Sequence, residues 1–482
     1  MNLSKKLNSN LNFLKTRLPS DDVQFLEITV GDKNAVLVFL KDVVDKDAIG
    51  ELILRPLKNF DGEVSLKQLE NAFLSPEKQA VKELNQLVDG IVLGDTAFLM
   101  DGLDKAFTFG LKKFEKRAIT EPPTQAVIKG PREGFVESLP VNVSLMRRRI
   151  KSPSLVFENL TVGRYSKTPV ALCYMDGIAD KKLVKSLKNK IKKIDIDAVL
   201  DSSYIAKFLG EHKTSIFKQV GNTEKPDILS AKILEGRIAV FVDGSPIALT
   251  VPYLLIEDFQ SAGDYYSSSY SATVARVLRL MSVFVSIFLP AFFVSAELFH
   301  LQFIPLSFLL TIVNSIKGIP LSPSFEMFFT LLIFEILNEA SVRMPRYVGM
   351  VVSIVGGLVL GETAVTAGII SAPTLMIVAF SGICLYTVPE LEQVFSLIRI
   401  ILLTIGGSLG GYGLILSVCV MLIYLVSFEN YGAPLMAPYS PLVKSDLKDG
   451  LYKGFLLEQE ERPKSFPNVN KIRLKRQNKE GE

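Results

Sequence analysis

Apolar and polar positions follow two different patterns in the first 255 residues. Strand-like runs such as VQFLEITV and NAVLVFL are followed by helical stretches such as SPEKQAVKELNQLV. Strands that alternate with helices in this way are typical of α/β domains. After a polar N-terminal tail (residues 1–20), the pattern predicts one cytoplasmic α/β subdomain over residues 21–150 and a second over residues 151–255.

The pattern changes near residue 277, after which charged residues nearly vanish until about residue 428. Apolar blocks begin near residues 277, 325, 348, 373 and 400, while the block FIPLSFLLTIV has about 11 residues and is too short to cross a bilayer alone. We predict an interfacial collar at 256–279, an all-α multi-span membrane domain at 280–428, and a basic C-terminal tail at 429–482.

Orientation follows from the basic residues and from the N-terminus. Lysines and arginines are dense after residue 440, and the N-terminus has no apolar core of signal-peptide length, so we expect both terminal regions in the cytoplasm. Two cytoplasmic ends require an even number of crossings, whereas the five long blocks give an odd number. We therefore expect four full crossings and one partial segment, with the block at 400–428 as a single long span.

Composition narrows the function classes. A net charge of +4 gives no reason to propose nucleic acid as a partner, and three widely spaced cysteines support neither a disulfide framework nor a zinc site. No Walker sequence, nucleophile elbow or HExxH motif is present, so we expect no enzyme activity, cofactor or metal. The glycine-rich runs GGLVLG and GGSLGGYG instead predict close helix packing or a gating kink, at Gly357, Gly361, Gly406, Gly407, Gly410 and Gly411.

The segment FEMFFTLLIFEILNEASVRMPRYVG, residues 325–349, carries the candidate chemistry. On a helix, Glu335, Asn338 and Glu339 form one polar stripe, and Glu326 lies at the helix entrance on roughly the opposite face. Arg343 is placed to pair with Glu339, which leaves Glu335 without a partner in the local sequence.

Two interpretations of the stripe stay open at this point. Either Glu335 faces water, or the helix lies flat in the membrane interface. If several subunits presented this face to one axis, the carboxylates would form a ring that attracts cations. Glu362, the only charge between residues 348 and 388, completes the candidate ion pathway.

Basic and aromatic residues precede the first apolar block. Tyr265, Tyr266, Arg276 and Arg279 suit the lipid headgroup zone, where we expect them to meet lipid and to couple the two halves of the chain. The RRR run at 147–149 is predicted to be a solvated basic face at the boundary between the subdomains.

Several stretches together resemble the A subunit of the nutrient germinant receptors (GerA type) of endospore-forming bacteria. They are GPREGFVESLPVNVSLMRRRIKSPSL, VDGSPIALTVPYLLIEDFQSAGDYY, EILNEASVRMPRYVGMVVSIVGGLVLG, AGIISAP and YGAPLMAPYSP, and they span about residues 125–441. The resemblance implies a spore inner-membrane protein that works with a transporter-like B subunit and a C-subunit lipoprotein. It also implies a homo-oligomer that releases monovalent cations when a nutrient is sensed.

We therefore expect a nutrient-gated cation channel subunit that starts germination, with a cytoplasmic α/β region coupled to a helical membrane half. Two other functions stay open from the sequence. One is a secondary transporter of a small solute, which would need broken helices in two related halves. The other is a non-conducting receptor or scaffold subunit, in which the carboxylates only pair with a partner chain.

Overall fold

The computed structural model describes residues 1–58, 66–73, 75–113, 125, 127, 129–345, 348–349, 357, 359 and 361–474. These residues form two compact units. The α/β unit contains Met1–Leu254, Glu429–Ala433 and the described residues from Leu456 onward; the helical unit contains Leu255–Phe428 and Pro434–Phe455. An α/β region followed by a helical region agrees with the predicted order.

The α/β unit contains two antiparallel five-stranded sheets. The first has the order β1-β2-β4-β5-β3, with β1 (Val23–Val30), β2 (Lys33–Leu40), β3 (Lys78–Val81), β4 (Thr96–Met100) and β5 (Ala106–Phe109). The second has the order β6-β7-β9-β10-β8, with β6 (Leu155–Val162), β7 (Thr168–Met175), β8 (Gly221–Thr223), β9 (Ile238–Val242) and β10 (Ala248–Val251). The two sheets therefore have the same strand order.

Helices cover both faces of each sheet. In β2 the adjacent residues Val36 and Leu37 belong to two different apolar clusters, because consecutive side chains of a strand lie on opposite faces of the sheet. The adjacent residues Ala171 and Leu172 of β7 are divided in the same way. The helices are α1 (Leu7–Arg17), α2 (Lys46–Ile49), a π-helical turn (Gly50–Leu54), α3 (Arg55–Leu57), α4 (Leu66–Ala72), α5 (Leu84–Val92), α6 (Leu139–Arg149), α7 (Lys181–Lys192), α8 (Ser202–Leu209) and α9 (Pro226–Glu235).

The same local device recurs in both halves of the α/β unit. The β4–β5 and β9–β10 turns each contain Asp-Gly, and the two glycines have φ of 85° and 88°. The side chain of Asp101 accepts a hydrogen bond from the N–H of Leu7, the first residue of α1, at 2.9 Å. Asp243 accepts one from Leu139, the first residue of α6, at 3.0 Å. Each turn thus caps the helix that precedes its sheet, and the two halves form an internal structural repeat.

The N-terminal twenty residues are not the polar tail that we expected. Residues 7–17 form α1, in which Leu7, Leu11 and Leu14 are buried together with Leu87 and Ile91 of α5. The spacing of four and three residues places the three leucines on one face of the helix. The segment is therefore the first helix of the repeat.

A buried ion pair joins the two halves of the repeat. Arg147 of α6 donates to Asp22 through Nε at 2.8 Å and through Nη2 at 2.7 Å, and both side chains are 3% exposed. Ser20 accepts from Arg147 at 3.0 Å and from the N–H of Phe157 in β6 at 2.8 Å. Since Arg148 and Arg149 bind Glu133, the RRR run is an ion-paired joint and not the predicted solvated face.

The helical unit contains a short collar and then long apolar helices. The helices are α10 (Ala262–Tyr266), α11 (Ser269–Phe299), α12 (Leu306–Ile316), α13 (Pro323–Arg343), α14 (Gly361–Thr366), α15 (Ala372–Leu385) and α16 (Glu392–Ser427). Short 3-10 turns occupy Leu255–Phe259, Leu301–Phe303 and Pro389–Leu391. Residues of α11, α12, α13, α15 and α16 share one apolar core, including Val294, Ile312, Met327, Val378 and Leu403.

Helix α16 is a hairpin of two legs, 392–409 and 411–427. Gly410 between them has non-helical angles, φ 61° and ψ −153°. A Cβ built on Gly413 would lie 2.8 Å from Cγ2 of Ile405, whereas residues eight apart in a straight helix are separated by about 12 Å. Gly410 lies against Phe299 at the end of α11, and Phe428 is bonded to Leu435, which is bonded to Leu255 just before the collar.

The second leg of α16 therefore returns toward the start of α11. By length and apolar composition, two stretches among the described residues qualify as membrane spans: Ser269–Phe299 and Pro389–Ser427. The second contains both legs, so the expected single span at 400–428 is wrong. Most of the block from residue 348 to residue 360 lies outside the described residues.

The C-terminal region is not a free tail as far as residue 474. It begins with a hairpin of β11 (Glu429–Asn430) and β12 (Ala433–Pro434), followed by 3-10 turns at Asp446–Lys448 and Leu456–Glu458. Farther on, the N–H of Val469 donates to the carbonyl of Ile178 at 2.9 Å, and Arg462 donates to the carbonyl of Leu234 at 2.7 Å. These bonds hold the segment on the second half of the α/β unit.

Replacing Arg147 by Met should loosen the joint between the two sheets. The change leaves Asp22 buried without its cation, and loss of one partner of a buried pair costs about 3–5 kcal/mol. We expect faster hydrogen exchange in the β1 and β6 peptides of the full chain in detergent. Arg148→Met is the control, because Arg148 is 35% exposed and should contribute less than about 1 kcal/mol. Equal exchange in the two variants would contradict this assignment.

Replacing Gly410 by Ala should destabilise the hairpin of α16. Its backbone conformation is essentially restricted to glycine, at a cost of about 1–3 kcal/mol for other residues, and a Cβ would lie 3.0 Å from the ring of Phe299. We expect a lower thermal midpoint of the full chain in detergent, measured by circular dichroism. Gly357→Ala serves as the control, because a Cβ there meets no atom of the described residues within 4 Å; a midpoint for Gly410→Ala that falls no further than that of the control would refute the role of Gly410.

Candidate functional site

Glu335 of α13 faces an arginine from a distant part of the sequence. Arg399, on the first leg of α16, donates from Nη2 to Oε1 of Glu335, and Ser396 Oγ donates to the same oxygen at 2.5 Å. The guanidinium is fully buried, whereas the Glu335 side chain is 25% exposed. The carboxylate that lacked a local partner in the sequence is therefore neutralised by a second helix.

Arg399 also contacts a third helix. Its Nη1 donates to Ser381 Oγ of α15 at 3.2 Å, while its Nε finds no hydrogen-bond partner in the described part of the chain. A charged group at this depth is stable only when paired and hydrogen-bonded. Glu335, Arg399 and Ser381 thus fasten α13, α16 and α15 to one another, and we name this group the Glu335 cluster.

The rest of the predicted polar stripe divides between two environments. Asn338 donates to Oε1 of Glu392, at the start of α16, at 2.7 Å, so it belongs to the same helix contact as Glu335. Glu339 pairs with Arg343 as expected from the spacing, and both side chains are largely exposed, at 63% and 78%. The structure therefore brings Glu335 and Asn338 to one interface and leaves Glu339 on the surface.

Glu326 and Glu362 lie elsewhere. Glu326 is 1% exposed, and its Oε1 accepts hydrogen bonds from the N–H and the Oγ of Ser371, both at 2.7 Å. Glu326 lies in the first turn of α13, as predicted for the entrance of that helix, and because Ser371 is the N-cap of α15 it also secures the end of that second helix. Nine residues separate it from Glu335, about 14 Å along the helix. Glu362 is exposed in the first turn of α14.

The predicted collar is an internal ion-pair network. Arg276 is fully buried and donates to Asp264 at 3.2 Å, to Asp449 Oδ1 at 3.1 Å and to the carbonyl of Gly450 at 2.6 Å. Arg279 binds both oxygens of Asp264, at 2.7 and 2.9 Å. The expectation that these two arginines meet lipid phosphate is therefore wrong, because carboxylates within the unit already occupy them.

Tyrosine and lysine complete the collar. Tyr265 donates to Asp449 Oδ2 at 3.0 Å, and its ring lies 4.1 Å from Lys453 Nζ and 5.4 Å from the Arg276 guanidinium. Tyr266 is an exposed neighbour on the same short helix. The collar thus ties residues 449–453 to the start of α11, a contact that local sequence cannot show.

Asp264 is the acidic centre of the collar. Burial acts to raise the pKa of its carboxyl, but hydrogen bonds from Arg279 and from the N–H of Ser261, with the nearby positive charges, outweigh burial and lower that pKa below its ordinary value. The carboxylate therefore stays ionised at neutral pH. Sequence reasoning missed Asp264, although Ser261 and Asp264 form a capping box that the S-x-x-D spacing indicates.

The glycines of α16 allow close helix contacts. A Cβ on Gly406 would lie 2.8 Å from the carbonyl oxygen of Ala291, and one on Gly411 would lie 3.0 Å from His300 Nε2. A Cβ on Gly407 would lie 2.5 Å from Ser324 Oγ, and one on Gly361 of α14 would lie 3.2 Å from a methyl group of Leu375. Gly410 forms the bend described above, whereas a Cβ on Gly357 would meet no atom of the described residues within 4 Å.

Comparisons with known proteins point to one family. A sequence profile described as Bacillus/Clostridium GerA spore germination protein matches residues 10–465. Spore germination protein KA of Bacillus subtilis (strain 168) is 37% identical over 463 residues, covering 94% of this chain and 85% of that protein. Spore germination protein A1 of the same strain is 30% identical over 435 residues, covering 90% and 89%.

A crystal structure of the N-terminal domain of the A subunit of the Bacillus megaterium spore germinant receptor GerK3 is also similar. It is 29% identical, covers 53% of this chain and 97% of that domain, and has a TM-score of 0.42. The profile match begins at residue 10, whereas the stretches that resemble the family begin near residue 125, so the match also covers most of the first 120 residues. The chain belongs to the GerA family of spore germination proteins.

Proposed function

We propose that this chain is the A-type membrane subunit of a spore nutrient germinant receptor and that several copies form a monovalent cation channel. The names of its relatives and the GerA profile support a role in germination. The Glu335 cluster is the main support for the channel proposal, because it places an ionisable pair between apolar helices. Apolar side chains at these positions would stabilise the helix contact at least as well, so stability alone does not explain the pair. No enzymatic step is part of the proposal.

In this proposal the helical unit spans the spore inner membrane, with the α/β unit on the core side. Both regions would work with a transporter-like B subunit and a C-subunit lipoprotein. The arrangement described here corresponds to the non-conducting state, since Arg399 neutralises the carboxylate that a cation would otherwise meet. Nutrient sensing would favour a state in which α13 and α16 separate, and the freed Glu335 carboxylates would line the pathway.

The ion pair supports a second candidate function, because a fully neutralised Glu335 also suits a non-conducting receptor subunit. In that case the Glu335 cluster would only hold three helices together. Ion flux separates the two functions, since a merely structural pair can be replaced without opening a pathway. Flux also separates channel from transporter, because channel flux is not saturated by a bound solute.

Replacing Arg399 by Gln should produce a leak. Breaking a buried pair costs about 3–5 kcal/mol, so we expect basal K⁺ efflux from proteoliposomes to rise by about tenfold or more. The double change Glu335→Gln with Arg399→Gln removes both charges of the pair and should restore low efflux. The exposed pair supplies a matched control, since Glu339→Gln should leave efflux unchanged.

Two measurements accompany the flux. Size-exclusion profiles of each variant confirm that a leak is not caused by unfolding, and cross-linking in the proteoliposomes reports the oligomer. Efflux that stays at the wild-type level in Arg399→Gln, with a normal profile, would assign the pair to structure and favour the non-conducting receptor. Monomers alone on cross-linking would exclude a ring.

A further inference from the structure

We propose that the packed helices α7 and α8 of the α/β unit form a docking surface for an anionic lipid membrane. The inference rests on the proposed membrane insertion of the helical unit. It concerns a different part of the chain, whose side chains take no part in the Glu335 cluster or the collar. Three independent features carry it: a set of exposed apolar residues, a lysine-rich helix face and a very short connection to the last apolar leg.

The first feature is a set of exposed apolar residues on and around α8. Tyr204 and Phe208 of α8, four residues apart, are 38% and 47% exposed, and Leu200, just before the N-cap Asp201, is 68% exposed. Ile216, in the loop that follows, is 46% exposed. The opposite side of α8 is buried, since Ile205 and Leu209 are fully inaccessible in the core of the second sheet. These large side chains leave one side of the helix apolar, without a cover among the residues of the α/β unit that the structure describes.

The second feature is the charge of α7. The sequence KKLVKSLKNKIKK, residues 181–193, has seven lysines and no acidic residue. Leu187 and Ile191 of α7 lie in the same apolar core as Ile205 and Leu209 of α8, so the two helices pack side by side. Five of the lysines are exposed: Lys181, Lys182, Lys185, Lys192 and Lys193. A cluster of this size is typical of segments that bind anionic headgroups.

The third feature is the connection to α16. Ser427 ends the second leg of α16, and only residue 428 separates it from Glu429, whose carbonyl contacts His212 Nε2 at 3.0 Å. Tyr431 donates to the carbonyl of Leu209, the last residue of α8, at 2.6 Å, and accepts from Lys190 of α7 at 3.1 Å. The chain after the apolar leg is thus bonded at once to the ends of both helices.

The length of this connection limits where the surface can be. An extended chain spans at most about 3.5 Å per residue, so the Cα of Tyr431, four residues after Ser427, lies within roughly 14 Å of the end of the leg. If that leg ends at the membrane surface, the segment that binds the ends of the two helices begins there. Tyrosine and phenylalanine beside lysines are the side chains that enter such an interface.

The occupant that these features fit is therefore the membrane from which the leg emerges. A soluble acidic protein would satisfy the lysines but would not explain the short connection. A second copy of the chain presents the same lysines and would meet like charge. Phosphatidylglycerol offers both an anionic headgroup for the lysines and an acyl boundary for the aromatic rings.

The test uses the full chain in single-copy nanodiscs and a fluorescent thiol label that doxyl-lipids quench. Cys173 and Cys384 are buried, and Cys419 on the second leg of α16 is exposed and labels directly. A second sample carries Ser203→Cys on α8 with Cys419→Ser. A third carries Leu93→Cys with Cys419→Ser, because Leu93 is 45% exposed at the end of α5, in the half of the α/β unit that contains the first sheet, and serves as the matched control.

We expect the label at 203 to be quenched about twofold more strongly in phosphatidylglycerol discs than in phosphatidylcholine discs, and to lose this excess at 1 M salt, where the Debye length is about 3 Å. The label at 93 should show no excess. Quenching at 203 that equals the 93 control in phosphatidylglycerol discs would overturn the proposal. Shielding at 203 that appears only when discs hold two copies would assign the surface to a protein contact and overturn it as well.

The label at Cys419 separates this proposal from the proposed function. Quenching there in both lipids supports membrane insertion, so a negative result at 203 then refutes the docking surface alone. No quenching at Cys419 refutes membrane insertion and the docking surface with it. The triple change Lys182→Gln, Lys185→Gln and Lys192→Gln should remove about half or more of the excess at 203; an unchanged excess would exclude the lysine face.

Discussion

A guanidinium that is removed from water needs a carboxylate beside it, and in the described part of the chain three such buried pairs join segments far apart in the sequence. Arg147 pairs with Asp22, Arg276 pairs with Asp264 and Asp449, and Arg399 pairs with Glu335. In each case the arginine is almost completely buried and joins segments far apart in the sequence. Because an unpaired partner would be costly, each pair ties the position of one segment to the other.

The three pairs act at successive levels of the molecule. The first joins the two sheets of the α/β unit, the second joins the collar to the start of α11, and the third fastens α13 and α15 to the first leg of α16. A change that separates one pair exposes two charges in an apolar environment. Such contacts favour discrete arrangements of the joined segments over gradual deformation.

Hydropathy and periodicity predicted the two α/β halves, the helical region and the Glu339–Arg343 pair, because these depend on nearby residues. They did not predict the partner of Glu335, since Arg399 is 64 residues away. They also missed α1, whose three buried leucines stand among polar residues, so the average polarity hid its apolar face. The repeat is visible in the sequence as two similar segments, FLMDG and VFVDG, whose aspartates cap α1 and α6.

The bend at Gly410 bears on the parity of the membrane topology. Counted as blocks of sequence, the apolar stretches number five, and an odd number cannot return the chain to the side on which it began. The hairpin divides the last block into legs of 18 and 17 residues, since α16 has 36 residues in all. Each leg is about 26 Å long, close to the thickness of a hydrocarbon core. If each of the other four predicted blocks crossed once and each leg crossed once, the chain would make six crossings, and this even number would return it to the side on which it began without a partial segment.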